Sequence, residues 1–307
     1  MTGHIPVLYE ECINALEPQR GGIFVDGTLG GAGHAKGLLM SGSVSLVGID
    51  KDEDAISRCR EYLKEYEGRV TFVRDDYKNI KSILSSLSIR GIDGALLDLG
   101  VSSFQIDTKE RGFSYSEDSP LDMRMDKSSP LSAYEVVNTY SEAALKKIIY
   151  EYGEEKFAPS IVSAIVKNRP VSSTAELAEL IKNAIPAAAR RKGGNPAKRT
   201  FQALRIEVNA EIDGLSDAIY AFIEALNPGA RLAVISFHSL EDRAVKTAFK
   251  RAENPCTCPL DFPVCVCGKK PLGRQITRKP ITPGESEMTE NKRAHSAKLR
   301  VFEREDN

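Results

Sequence analysis

The chain has 307 residues, 41% hydrophobic and 28% charged, with a formal net charge of −1 at pH 7. That length holds one large domain or two modest ones around a buried core, and no apolar run approaches the roughly 18–20 residues that span a bilayer. A near-zero charge excludes an overall basic field, so any RNA binding has to come from local clusters. The beginning of the chain carries His4, Glu10 and Glu11 and no basic stretch followed by an apolar one, so a cytoplasmic protein is the expectation.

In chain order, the first half alternates short β-branched runs with helical stretches, the pattern of a parallel sheet with crossover helices. Ile23–Asp26 reads as a first strand, followed by the glycine-rich turn Gly27–His34 and a helix to about Met40. Ser45–Asp50 reads as a second strand, with a charged helix from about Glu53 to Tyr66. Val70–Val73 is a third strand leading into Asp75-Asp76-Tyr77, and Gly94–Asp98 is a fourth, reaching the polar turn Gly100-Val101-Ser102-Ser103. The βα rhythm then stops. Ser141 caps a helix running to Tyr152, Ser173-Thr174-Ala175-Glu176 has capping-box spacing before Leu177–Ile185, and a further helix is expected from about Thr200 to Glu211. Leu226–Gly229 reads as a turn, Arg231–Ser236 as a fifth strand, and Leu299–Glu303 as a last one. The expected organisation is a discontinuous α/β domain, 1–106 and 214–307, with an inserted helical domain, 107–213.

Two segments are basic and free of carboxylates. One holds Arg190, Arg191, Lys192, Lys198, Arg199 and Arg205; the other holds Lys269, Lys270, Arg274, Arg278 and Lys279. Each is open to two readings, a solvated surface or a contact for RNA phosphates. Between them in character lie Cys256-Thr-Cys258 and Cys265-Val-Cys267, a paired spacing that leaves zinc and a loop of reduced thiols both open; Cys12 and Cys59 read as small residues inside helices.

A glycine-rich turn after a first strand lets backbone approach a ligand. Asp50 ends strand two, 24 residues after Asp26, where a carboxylate can accept hydrogen bonds from both hydroxyls of a ribose. Tyr77 follows strand three, where a ring can lie against an adenine, and Asp98 ends strand four beside the first strand. A dinucleotide fingerprint fits less well, because Gly31-x-Gly33 lacks the third glycine at the required place.

These residues closely resemble the RsmH (MraW) family. The resemblance rests on Asp26-Gly27-Thr28…Gly33-His34, Leu96–Ser103, Arg111-Gly112-Phe113-Ser114, Pro120–Asp126, Tyr152-Gly153-Glu154-Glu155, Arg199–Arg205 and Ser236–Asp242, and extends from His4-Ile5-Pro6-Val7 to the end of the chain. It implies a class I, Rossmann-like methyltransferase sheet with a helical insertion between strands four and five. It also implies methylation of the N4 amine of a cytidine in the decoding region of 16S ribosomal RNA, within the small ribosomal subunit. S-adenosyl-L-methionine is then expected against Ala32, Gly33 and His34, with Asp50 on the ribose, Tyr77 near the adenine, and Asp98 and Gln105 completing the site. Three residues depart from the family's usual pattern: Ala32 stands where glycine is common, Tyr77 where Phe is often found, and Phe104 where Pro is.

For the chemistry, Asp98 and the backbone carbonyls of Gly100–Ser103 are candidate acceptors of the amine proton, Asp98 being open also to contacting the cofactor alone; His238, after strand five, is open between orienting the base or relaying a proton and a structural role. Arg199 and Arg205 are candidate phosphate contacts, and Phe201 is open to two readings, a ring that stacks on a base or a core residue. A DNA amino-methyltransferase usually shows a (D/N/S)-P-P-(Y/F/W) run where this chain has Asp98-Leu99-Gly100-Val101. A binding-only assembly factor on the same fold is the reading from another class, and binding of S-adenosylmethionine discriminates it.

Overall fold

The structure is a computed structural model and describes residues 6–191, 195–259 and 262–306; His4, Ile5 and Lys192 of the sequence reading lie outside the described residues. The chain divides into two compact units, one comprising the described residues up to Gly100 and from Gly214 onward, the other Val101–Asp213. The expected first division, after residue 106, lies six residues further along, so the turn helix Ser103–Asp107 groups with the second unit.

The first unit is a seven-stranded sheet in the order β3-β2-β1-β4-β5-β7-β6. Its strands are β1 (Gly22–Asp26), β2 (Val44–Asp50), β3 (Val70–Arg74), β4 (Ile92–Asp98), β5 (Leu226–Ser236), β6 (Gly273–Gln275) and β7 (Lys298–Arg304). The first five run parallel, and β7 is antiparallel to both neighbours. This is the Rossmann-like arrangement the sequence led us to expect. Strands β2, β4 and β5 bury near-continuous runs, as strands covered on both faces must. Phe24, Leu46, Leu96, Ile235 and Leu299 pack with Leu8, Leu38 and Leu39 in one core cluster, each such side chain contributing about 1.5–3 kcal/mol. Because the order runs outward from β1 in one direction and resumes at β4 in the other, the carboxyl ends of β1 and β4 form the switch point where open sheets bind ligands.

Three local expectations change. The helix after β2 ends at Tyr62, not Tyr66, and a 3-10 turn, Lys64–Arg69, follows. Arg69 ties that turn to the end of the helix Gly33–Ser41 by donating to the carbonyls of Leu39 and Gly42, both at 3.0 Å. The turn expected at Leu226–Gly229 is absorbed into β5 as an irregularity: Ile92 pairs with Leu226 but Gly94 with Arg231, so the strand bulges where Gly229 takes φ +79°. The short β6 was not anticipated; Arg274 holds it to β7 through Glu303 at 2.9 Å.

The second unit is helical. Ala133–Thr139, Glu142–Glu151, Ala158–Lys167, Thr174–Ala184 and Lys198–Asn209 enclose a core that includes Val136, Leu145, Ile149, Ile161, Leu177 and Leu204. Ser132, Ser141 and Ser173 cap their helices with side-chain oxygens, as their sequence context indicates. The non-helical stretch before them is stitched by two arginines. Arg111, 4% exposed, donates to the carbonyls of Arg124 and Met125 at 2.9 and 2.8 Å. Arg124 grips Asp122 with two hydrogen bonds, 3.0 and 2.7 Å, and the carbonyls of Lys127 and Ser129 with two more. No helix among the described residues is long and apolar enough to cross a membrane.

Candidate cofactor site at the strand ends

Three parallel strands of the first unit finish in aspartate: Asp26 on β1, Asp50 on β2 and Asp98 on β4. Asp50 organises the glycine-rich turn. One carboxylate oxygen accepts the Gly30 N–H and the other the Asp52 N–H, both at 2.8 Å. A carboxylate has about four lone-pair positions, so both oxygens retain capacity for a ligand's hydroxyls. Asp26 accepts the Thr28 N–H at 3.1 Å, and the Thr28 hydroxyl in turn accepts the Asp98 N–H at 2.6 Å. The turn then enters the helix Gly33–Ser41 through Ala32, a non-glycine residue at φ +57°. The left-handed region costs an L-residue roughly 1–2 kcal/mol, which gives the departure noted at Ala32 a physical meaning.

The electrostatics are unusual. Burial, opposed by the Thr28 hydrogen bond and joined by the charge of Asp50, pushes Asp26 up to about 7. Burial, with the charges of Asp26 and Glu241, pushes Asp98 up to about 8. Burial also raises Asp50, despite its two amide donors. Oδ1 of Asp98 is buried without a hydrogen-bond partner, and among the described residues no lysine or arginine pairs with Asp26 or Asp98. The nearest ring does not compensate. His34 Nε2 lies 3.0 Å from the Val7 carbonyl, which can only accept, so Nε2 carries the proton. Burial holds this imidazole down at about 4, neutral at physiological pH, with Nδ1 3.8 Å from Asp98 Oδ2. A cationic ligand that donates hydrogen bonds is the partner such a cluster lacks.

The remaining expected residues take varied places. A Cβ on Gly33 would meet Pro6 Cγ at 2.3 Å, so the open side of this glycine packs against the Pro6 ring. Tyr77 opens the 3-10 turn Tyr77–Asn79, and its Cβ lies near the bare face of Gly27, beside Leu97. His238 caps the helix Ser239–Glu253: its Nδ1 accepts the Glu241 N–H at 3.4 Å while Glu241 reaches back to the amides of Phe237 and His238. In the second unit, Gln105 forms a reciprocal cap with Ser102. Phe201 is 4% exposed and meets Tyr115 edge-on at 5.6 Å, so its ring is part of the core. Arg205 forms a two-pronged pair with Glu211, 2.8 Å on each arm. Arg199 is exposed and touches the Glu154 carbonyl at 3.3 Å. Asp26 and Thr28 were given no role by the sequence reading. The rule that singled out Asp50 and Asp98, a polar residue ending a parallel strand, finds Asp26 as well.

A Lachnospira eligens protein named ribosomal RNA small subunit methyltransferase H is 55% identical over 306 residues, covering 98% of this chain and 97% of the relative. The protein of the same name from Carboxydothermus hydrogenoformans is 52% identical over 304 residues, with 98% and 97% covered. Among solved structures, an rRNA methylase from Streptococcus thermophilus aligns at 11% identity over 97% of this chain and 94% of its own, with a TM-score of 0.40, too distant to bear on function. The MraW methylase profile matches residues 1–305, and with relatives above 50% identity over nearly the whole length the chain belongs to the MraW methylase family.

Proposed function

We propose that this chain transfers a methyl group from S-adenosylmethionine to the N4 amine of a cytidine in the decoding region of 16S ribosomal RNA. The observation that carries the cofactor half is the uncompensated carboxylate cluster at the ends of β1, β2 and β4. The acceptor half is supported by family membership and by relatives named for small-subunit ribosomal RNA.

When bound, S-adenosylmethionine supplies a methyl group already activated by a positively charged sulfur, so the protein's main task is positioning, worth roughly 7–11 kcal/mol. Asp50 holds a ribose diol while keeping its two amide latches. Asp26 and Asp98 offset the ligand's positive charge in a site that otherwise raises both. Asp98 has a second capacity: once ionised opposite the ligand's positive charge, its oxygen without a hydrogen-bond partner can accept the proton of an amine. In the helical unit, Arg191, Lys198 and Arg199 are exposed and suited to RNA phosphates, whereas Arg205 and Phe201 shape the helix that displays Lys198 and Arg199.

The test is labelled methyl transfer to small ribosomal subunits from a strain lacking this gene, followed by nucleoside mass analysis. Label in N4-methylcytidine is the expected result. Label in another nucleoside overturns the acceptor and leaves the cofactor; no binding of S-adenosylmethionine overturns both.

A further inference from the structure

The four cysteines left open by the sequence converge. Cys256 and Cys265 place their Sγ atoms 3.5 Å apart, Cys258 and Cys265 3.8 Å, Cys265 and Cys267 3.4 Å, and Cys256 and Cys267 3.9 Å. All four sulfurs lie within 4.8 Å of one another. These separations are far too long for disulfides, whose sulfurs sit about 2.05 Å apart. They match the tetrahedron around zinc, where four Zn–S bonds of about 2.3 Å set the sulfurs about 3.8 Å apart.

The surroundings give no other cause for the convergence. Among the described residues from Asn254 to Leu272 none is buried, and Phe262, Val264 and Val266 are 49%, 70% and 72% exposed. A segment with no core of its own does not gather four thiols by hydrophobic packing; small loops of this kind are held by a metal or a disulfide. The backbone is also arranged for thiolates. The Val266 amide donates to Cys258 Sγ at 3.3 Å, and the amides of Thr257 and Lys269 point to Cys267 Sγ. Gly268, at φ +65°, makes the tight turn that follows the second pair. The base of the loop is pinned independently, by the Leu272 N–H on the Ala252 carbonyl at 2.8 Å.

We propose that Cys256, Cys258, Cys265 and Cys267 form a structural tetrathiolate zinc site that closes the loop between the helix Ser239–Glu253 and β6. Binding releases the thiol protons to solvent and leaves all four coordination positions filled by protein, so the ion organises chain and holds no open position for substrate. The site lies outside the strand-end cluster, and its test needs neither cofactor nor RNA.

The full chain, purified under reducing conditions without chelator, is measured for metal and then reconstituted with cobalt. One zinc per chain is expected, displaced by a mercurial reagent that titrates four thiols. The cobalt form should show tetrahedral ligand-field bands with sulfur-to-cobalt charge transfer. Cys256→Ser with Cys267→Ser should lose the metal, Cys59→Ala should keep it, and stripping the wild type should speed tryptic cleavage after exposed Lys269. If the double variant does not fold, the wild-type cobalt spectrum decides alone. A reduced chain that takes up no zinc, one that carries iron there instead, or four cysteines recovered as disulfides from reducing extract would each overturn the assignment.

Discussion

Asp26 and Asp98 at the strand ends of the first unit and Asp122 in the second are the same chemical group in opposite states. Asp122 is also partly buried, which tends to raise it, but the hydrogen bonds and charge of Arg124 outweigh that and hold it below the usual range. Asp26 and Asp98 have no such partner and are driven up to about 7 and about 8. The difference teaches how to separate structural acids from functional ones. A paired acid has its counter-charge built into the fold, whereas an acid left raised at a switch point has room for a counter-charge that arrives from outside.

The contrast is sharpest under substitution. Asp50→Ala removes two charge-assisted hydrogen bonds to a ribose, together about 3 kcal/mol, and should weaken S-adenosylmethionine binding roughly 100-fold by calorimetry. Asp98→Asn, of the same shape, should lower kcat/KM for methyl transfer by about 100-fold at least; an unchanged rate with normal cofactor binding would remove Asp98 from the chemistry. Asp122→Ala should do the reverse, costing about 1–3 kcal/mol of stability in denaturant while leaving cofactor affinity near wild type. Equal losses of affinity from both regions would erase the distinction between them.

Smaller effects follow from pH. Asp26 and Asp98 have folded values above their ordinary 3.8, so their contribution to stability is complete below about pH 4 and is lost as pH rises through about 7 to 8. The ligand-free chain should therefore melt lower at alkaline than at mildly acidic pH. Affinity for S-adenosylmethionine should rise over the same interval as the carboxylates ionise, and affinity for the neutral thioether S-adenosylhomocysteine should rise less; parallel curves would argue against a charge-matching role. The smallest effect is Ala32→Gly. Relief of the left-handed residue, about 1–2 kcal/mol, is partly offset by about 0.4–1 kcal/mol of added chain entropy, giving a net gain of about 1 kcal/mol or less. A lower melting temperature would contradict that sign.

Much of this was readable from residue order because the relevant signals are local. Ser45–Asp50 reads as a strand from its short β-branched run and Asp50 as its end, and both survive with a one-residue extension to Val44. Ser141 and Ser173 cap where their spacing indicates. What escaped depends on which side chains the fold brings into contact. Phe201 was open between a stacking ring and a core residue, and the packing of Tyr115 against it decides for the core. Arg205 reads as a free cation until Glu211 is placed beside it, 2.8 Å away. His238 follows strand five as anticipated, yet its capping of Glu241 is visible only in three dimensions. The raised state of Asp98 likewise comes from burial and from Asp26, a neighbour 72 positions back in the chain.

The most direct measurement is a crystal structure of the chain grown with S-adenosylmethionine. The account predicts the ribose diol on the Asp50 carboxylate and the positively charged sulfur facing Asp26 and Asp98, beside the turn that enters the helix at Gly33. Nucleoside density elsewhere on the molecule, with no ligand against those three aspartates, would contradict it.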